Sequence, residues 1–191
     1  AEPWEFDAAK AVFEGQLAYL RKQKKVLPEA IHYGVMLEVP ALAEQLDVLA
    51  PKISFLSIGT NDLTQFLFAA DRSNPKLAER YDWMSPAILR FLRRVVKSCE
   101  GHAVDIAVCG EMGGRRLEAL ALLGIGIHRL SITPASVGPI KDLIGKVDIA
   151  EIEAAMAQWL AQPPVDLRAE LTAWAAARDL SLIHISEPTR P

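Results

Sequence analysis

Cysteine is almost absent from this chain: Cys99 and Cys109 are the only two among 191 residues. With no CxxC pair they make neither a disulfide framework nor a thiolate metal clip, and they fit a reducing cytosol. Basic tracts are lacking, and the net charge is −3, which excludes a surface built to hold a nucleic-acid backbone. No apolar run approaches the ~20 residues needed to span a bilayer. The opening residues, AEPWEFDAAK, carry neither a basic n-region nor an apolar h-region and do not read as a signal peptide. An initiator Met is also lacking, and the expectation is a chain that begins inside a longer protein. What the chain does have is apolar material. Hydrophobic residues make up 51%, so disorder is excluded and one domain with a real core is expected.

Hydrophobic periodicity divides the chain into alternating elements. Residues 6–25 read as an amphipathic helix, with Phe6, Ala9, Phe13, Leu17 and Leu20 at helical spacing and Arg21, Lys22, Lys24 and Lys25 at its end. Near-continuous apolar runs at Tyr33–Val39, Ile53–Ile58, Asp105–Val108 and His128–Ile132 read as strands buried on both faces, as in parallel sheets. Helices are expected over 40–49, 85–97, 115–123, 136–144, 149–160 and 167–178, with 62–70 a loop or short helix. Ser85-Pro86 gives the 85–97 helix its cap and first turn. The βαβαβαβα alternation argues for an α/β fold with parallel strands.

Three of the four strands release a reactive side chain at their C-terminal end, as at the mouth of a parallel barrel. Glu38 closes the first, and a buried carboxylate there needs a metal, a cation or a hydrogen-bond partner; capping a neighbouring helix is the alternative. Asn61 and Asp62 follow the second, where an Asn-Asp pair after Gly59 also suits a turn or an N-cap. Two carboxylates and an amide are hard oxygen donors of the kind Mg²⁺ takes. Arg72 is placed to clamp a phosphate, or is a surface arginine beside Asp71. Cys109 ends the third strand, next to Gly110 and Glu111. It is either a small core hydrophobe or a functional thiol, and Glu111 fixes the loop or caps the next helix. Cys99 reads as structural. His32, His102, His128 and His184 show no metal-ligand spacing.

The last residues look foreign. Leu180–Arg190 reads LSLIHISEPTR, which resembles the translation of a transposase adapter used in preparing DNA sequencing libraries. Residues 180–191 are therefore expected to be a non-native tail that adds nothing to the core, and 1–179 the domain proper.

The segments SIGTNDLTQF, AADRSN, MSPAIL and AVCGEMGG resemble the C-terminal domain of the Enzyme I family, the phosphoenolpyruvate–protein phosphotransferases of bacterial phosphotransferase systems. The run FLFAADRSNPKLAERYDW is more similar to the nitrogen-related branch than to the sugar branch. The resemblance spans about residues 30–145. It implies a (β/α)8 TIM barrel of which this chain supplies the C-terminal half, the last four strands with their helices. It implies Glu38 and Asp62 as Mg²⁺ ligands, Asn61, Asp62 and Arg72 as phosphoenolpyruvate-binding residues, and Cys109 as the acid that protonates the enolate carbon. It further implies a histidine phosphocarrier protein as partner and a homodimer for the intact, cytoplasmic protein. The acceptor histidine belongs to a separate domain, and no TSHxA-like segment occurs here; the arginines of the early barrel strands are missing as well.

Two other readings compete. Pyruvate phosphate dikinase and phosphoenolpyruvate synthase share a related barrel, and an ATP-binding domain upstream would mark them. A non-catalytic regulatory or dimerisation module would keep the fold; the intact set Glu38, Asp62, Arg72 and Cys109 argues against it.

Overall fold

Val35, Leu37, Leu56, Ile58, Ile106 and Val108 favour a pleated, buried surface. In the computed structural model, which describes residues 2–77, 81–180 and 182, they lie on short parallel strands. These are β1 (Gly34–Leu37), β2 (Phe55–Gly59), β3 (Asp105–Cys109) and β4 (Arg129–Ser131). They stand side by side in chain order, each parallel to the next. Parallel neighbours need a crossover between them. Helices supply it: α2 (Pro40–Ala43) and α3 (Leu46–Leu49) after β1, α4 (Thr60–Phe68) and α5 (Pro86–Ser98) after β2, and α6 (Arg116–Gly124) after β3. Helix α1 (Pro3–Lys22) precedes the sheet, and α7 (Pro134–Ile144), α8 (Ile149–Ala161) and α9 (Leu167–Ala176) follow it.

The expected elements are present with shifted ends. The helix expected over 40–49 is instead two single turns, a reset that lets both Leu46 and Leu49 face the core. The 62–70 segment is a helix that starts at Thr60 and is closed by Ala69 in the left-handed conformation. Before α6, a 3₁₀ turn covers Glu111–Gly114. Three caps fit the sequence. Ser85 Oγ accepts from Ala87 N at 3.3 Å, Asp148 from Ala150 N at 2.8 Å and Asp166 from Ala169 N at 2.9 Å.

Helix α6 is the centre of the packing. Every residue from Glu118 to Gly124 is buried, because the helix is apolar all round and is covered on all sides. At Gly124 it meets α8 so closely that a Cβ would lie 2.4 Å from Met156 Cγ and 3.0 Å from the Ile152 carbonyl oxygen. The carbonyl is backbone and yields little. Gly124→Ala is therefore expected to cost about 1–3 kcal/mol, seen as a lower urea midpoint with an unchanged slope; an unaltered midpoint would show that α8 can retreat.

Helix α1 forms where its periodicity puts it, yet none of its residues is buried. It is tied to the sheet by the Phe13–Tyr33 edge-to-face pair at 5.8 Å and by Lys52–Asp7 at 2.7 Å. Its stripe is only partly covered, and Met36 and Phe55 are exposed on β1 and β2. The outer strands β1 and β4 each leave one edge unpaired among the described residues. At the other end of the chain Leu180 is 4% exposed and belongs to the core, so packing continues past residue 179. Residues 181 and 183–191, nearly all of the adapter-like tail, lie outside the described residues. No described helix is long and apolar enough to cross a membrane.

Candidate functional site

Sheet register brings the strand ends into one row. Leu37 pairs with Ile58, so Glu38 stands beside Gly59; Gly59 pairs with Cys109, and Cys109 with Ser131. Gly59 has no side chain because Glu38 occupies that space. A Cβ on Gly59 would lie 2.7 Å from Glu38 Cγ and 3.0 Å from its Oε1. Glu38 is half-buried, and no hydrogen bond or ion pair engages its carboxylate among the described residues. Capping a neighbouring helix, the alternative for this residue, is not what it does.

Asn61 and Asp62 sit in the first turn of α4, after the cap residue Gly59. The main-chain N–H groups of that turn have no partner inside the helix, and the dipole there favours negative charge. Asp62 Oδ1 lies 3.7 Å from Arg72 Nη2, with the two side chains 41% and 46% exposed. Such a pair is weak in water and free to open toward another ion. Arg72 thus pairs with Asp62 and not with its neighbour Asp71. The Asp71 carboxylate is taken by Ser73 Oγ at 2.6 Å and Ser73 N at 2.9 Å, which hold its pKa below the usual range.

Asn61 is held at both ends. Its Nδ2 donates to Glu111 Oε2, and the Tyr81 hydroxyl donates to its main-chain carbonyl. The Asn61 bond is the main reason the Glu111 pKa is lowered; the Glu111 backbone N–H, Arg72 and Arg115 add to it against a smaller opposing effect of burial. Glu111 therefore serves Asn61, the loop-fixing role among those open to it.

Cys109 ends β3 half-buried and as a free thiol. Ser57 Oγ donates to its sulfur at 3.3 Å, and the sulfur lies 3.5 Å from the Ile58 carbonyl oxygen. Both contacts lie on the strand side of the sulfur. Next to it Gly110 has φ 107°, a conformation open to glycine, and a Cβ there would press on Thr60 Oγ1 at 3.1 Å. Thr60 Oγ1 in turn donates to the Cys109 carbonyl at 3.2 Å, joining the end of β3 to the start of α4. Cys99 is buried, and burial raises its pKa, as suits an inert core residue.

A cavity of about 530 Å³ opens at these strand ends, with Asn61, Gly110, Glu111, Arg115, Ser131 and Thr133 in its walls. It takes in Asn61 but not Glu38, Asp62, Arg72 or Cys109. Among the described residues no group of three His, Cys, Asp or Glu side chains is placed to hold a metal ion. Glu38 and Asp62 are hard oxygen donors of the type Mg²⁺ takes, beside waters and substrate oxygens.

Sequence reasoning passed over Ser57, Thr60, Tyr81 and Arg115. Ser57 carried a signal, a lone hydroxyl inside an apolar strand two residues before the strand-ending glycine. Tyr81 carried none, since its partner is a main-chain carbonyl twenty residues earlier.

Comparison with known proteins adds a family. A profile described as "PEP-utilising enzyme, PEP-binding domain" matches residues 1–149. The chain is 38% identical over 148 residues to a protein of Escherichia coli K12 named "Phosphoenolpyruvate-dependent phosphotransferase system", covering 77% of this chain and 20% of that one. It is 42% identical over 125 residues to the "Phosphoenolpyruvate-protein phosphotransferase" of Borreliella burgdorferi, covering 65% and 22%. It is 45% identical over 108 residues to a "Multiphosphoryl transfer protein" of Xanthomonas campestris pv. campestris, covering 56% and 13%. The chain thus spans about a fifth, or less, of the length of these relatives.

Proposed function

The chain belongs to the PEP-utilising enzyme family through its PEP-binding domain, and from that premise we propose that it is part of a phosphoenolpyruvate–protein phosphotransferase, specifically the C-terminal half of that enzyme's (β/α)8 barrel. The observation that carries the reading is the row of strand ends: Glu38, Gly59 with Asn61 and Asp62 just beyond, and Cys109 stand on adjacent strands. Strand order supports the barrel. The four strands follow one another without reversal, as they do in a closing barrel, whereas a doubly wound sheet reverses at a switch point.

In this reading phosphoenolpyruvate binds at the C-terminal ends of the strands. Its phosphoryl group lies at the start of α4, against the main-chain N–H groups, Asn61 and Arg72. Arg72 leaves Asp62 for the phosphoryl oxygens, a switch that a half-exposed pair at 3.7 Å permits. Glu38 and Asp62 would hold Mg²⁺, and the chemistry it would supply there is neutralisation of negative charge on the substrate. The bridging O–P bond breaks as phosphorus moves to a histidine nitrogen on another domain. The enolate left behind takes the Cys109 proton at C3, giving pyruvate and making transfer downhill. Ser57 supports that step by its bond to the sulfur. The parent protein is then cytoplasmic and homodimeric, feeds a histidine phosphocarrier protein, and belongs with the nitrogen-related branch. The adapter-like residues from 180 on are foreign in origin, although Leu180 packs into the core.

The test compares this chain with its parent. Given phosphoenolpyruvate, Mg²⁺ and a histidine carrier, the chain alone is expected to form pyruvate at no more than background, because half the barrel and the acceptor histidine are elsewhere. The parent is expected to turn over. Steady pyruvate release by the chain alone would overturn the half-barrel reading, and a parent that ignores phosphoenolpyruvate would overturn the function.

A further inference from the structure

Asn61 is gripped from two sides, and the grip leads away from the site to a helix beyond the family match. An asparagine amide is symmetric in shape and turns easily about its last torsion, so an unheld Asn61 would offer N–H or carbonyl to a ligand without preference. Glu111 removes that freedom. As a carboxylate it only accepts, so it takes Nδ2 and leaves the second N–H of that amide for an anion. Tyr81 fixes the same residue through its main-chain carbonyl.

Tyr81 is itself braced. Its ring meets Trp83 edge to face at 5.9 Å, and the Arg115 guanidinium lies over the other ring system at 4.9 Å. Between them Asp82 accepts from Met84 N at 2.9 Å and from Arg168 Nη2 at 2.9 Å. Arg168 also donates to Glu118 Oε1 at 3.0 Å. Glu118 is only 3% exposed, in the central helix α6. A buried carboxylate must keep its cation, so Arg168 is held firmly and can hold Asp82 in turn. Arg168 lies on α9, outside the residues that the family profile matches.

We infer that Glu111 and Tyr81 are positioning residues for Asn61, Glu111 setting the direction of its side-chain amide and Tyr81 fixing the main chain that carries it, and that the Glu118–Arg168–Asp82 bridge from α9 keeps Tyr81 in place. The inference deepens the phosphoenolpyruvate-binding role given to Asn61 above and rests on it. Glu111→Gln keeps size and shape but offers Asn61 either end of an amide, so direction is no longer enforced. Tyr81→Phe removes one hydroxyl. Arg168→Met breaks the bridge, and Arg168→Lys restores part of it.

The experiment measures KM for phosphoenolpyruvate, kcat and melting temperature in the parent protein at saturating Mg²⁺. Glu111→Gln and Tyr81→Phe are expected to raise KM about tenfold, the effect of one hydrogen bond to a charged group. Arg168→Met is expected to raise it by a smaller factor, with partial rescue by Arg168→Lys. The double variant Tyr81→Phe/Arg168→Met should be no worse than the worse single one, because both act through the same loop. Arg129→Met, which breaks only the exposed bridge to Asp105, should leave KM alone. A lower melting temperature with unchanged KM in Glu111→Gln and Tyr81→Phe would make these residues structural and overturn the inference, while the proposed function stood. If the parent itself fails to bind phosphoenolpyruvate, the function falls and the inference falls with it.

Discussion

Replacing Cys109 with alanine in the parent protein is expected to leave phosphoenolpyruvate affinity within about twofold while cutting pyruvate formation by about 10²–10⁴-fold, the usual worth of a positioned acid. The thiol acts only once the enolate has formed, so it contributes to the transition state and not to ground-state binding. The local geometry suits this division. Ser57 Oγ and the Ile58 carbonyl meet the sulfur on its strand side and hold it at the end of β3. A nucleophilic cysteine would instead need a thiolate stabilised by a cation or a helix N-terminus. Calorimetry at saturating Mg²⁺ gives the affinity, and a coupled assay gives the pyruvate. Lost affinity with preserved turnover at saturating substrate would make Cys109 a packing residue. Ser57→Ala is the companion variant, since a weakened grip on the sulfur should slow proton delivery without touching binding.

Much of this arrangement was legible because the chemistry-bearing residues follow apolar strands directly. A run such as Val35–Leu37 ending in Glu38, or Ile106–Val108 ending in Cys109, states both the strand and what it presents. Parallel order followed from the alternation with helices. What stayed hidden depends on distances the sequence does not encode. Glu111 was visible as a residue beside Cys109, but its partner Asn61 sits fifty positions away. Tyr81 reaches a main-chain carbonyl, which every residue has, so no side-chain pattern could name it. The bridge from Glu118 to Arg168 joins a central helix to a late one; in sequence Glu118 was simply a polar residue in an apolar helix. Boundaries were displaced for similar reasons. The 40–49 helix carries one apolar periodicity, and only the need to turn Leu46 and Leu49 into the core splits it. Helix α1 forms where its periodicity places it, yet none of its residues is buried.

Removing either proposed metal ligand should act on binding itself. Glu38→Ala and Asp62→Ala in the parent protein are each expected to weaken Mg²⁺-dependent phosphoenolpyruvate binding by about 10–100-fold or more, the range that even supporting residues of metal sites command. Their effect should appear in the ground state, because a ligand engages the cation before and during transfer. A more specific variant separates position from presence. Gly59→Ala leaves Glu38 intact but puts a methyl group 2.7 Å from its Cγ and 3.0 Å from Oε1. Those atoms belong to a flexible side chain, so Glu38 can swing aside with little loss of stability. The expected result is a protein that melts near the wild-type temperature and responds to Mg²⁺ as weakly as Glu38→Ala. If Gly59→Ala instead kept full Mg²⁺ dependence while Glu38→Ala lost it, the carboxylate would reach the cation from a different rotamer. If both kept it, Glu38 would not be a ligand, and its unpaired place over Gly59 would need another explanation. Asp62 offers an internal check: removing it also frees Arg72. A loss of Mg²⁺ dependence with residual, metal-independent binding of the anion would therefore separate its two roles.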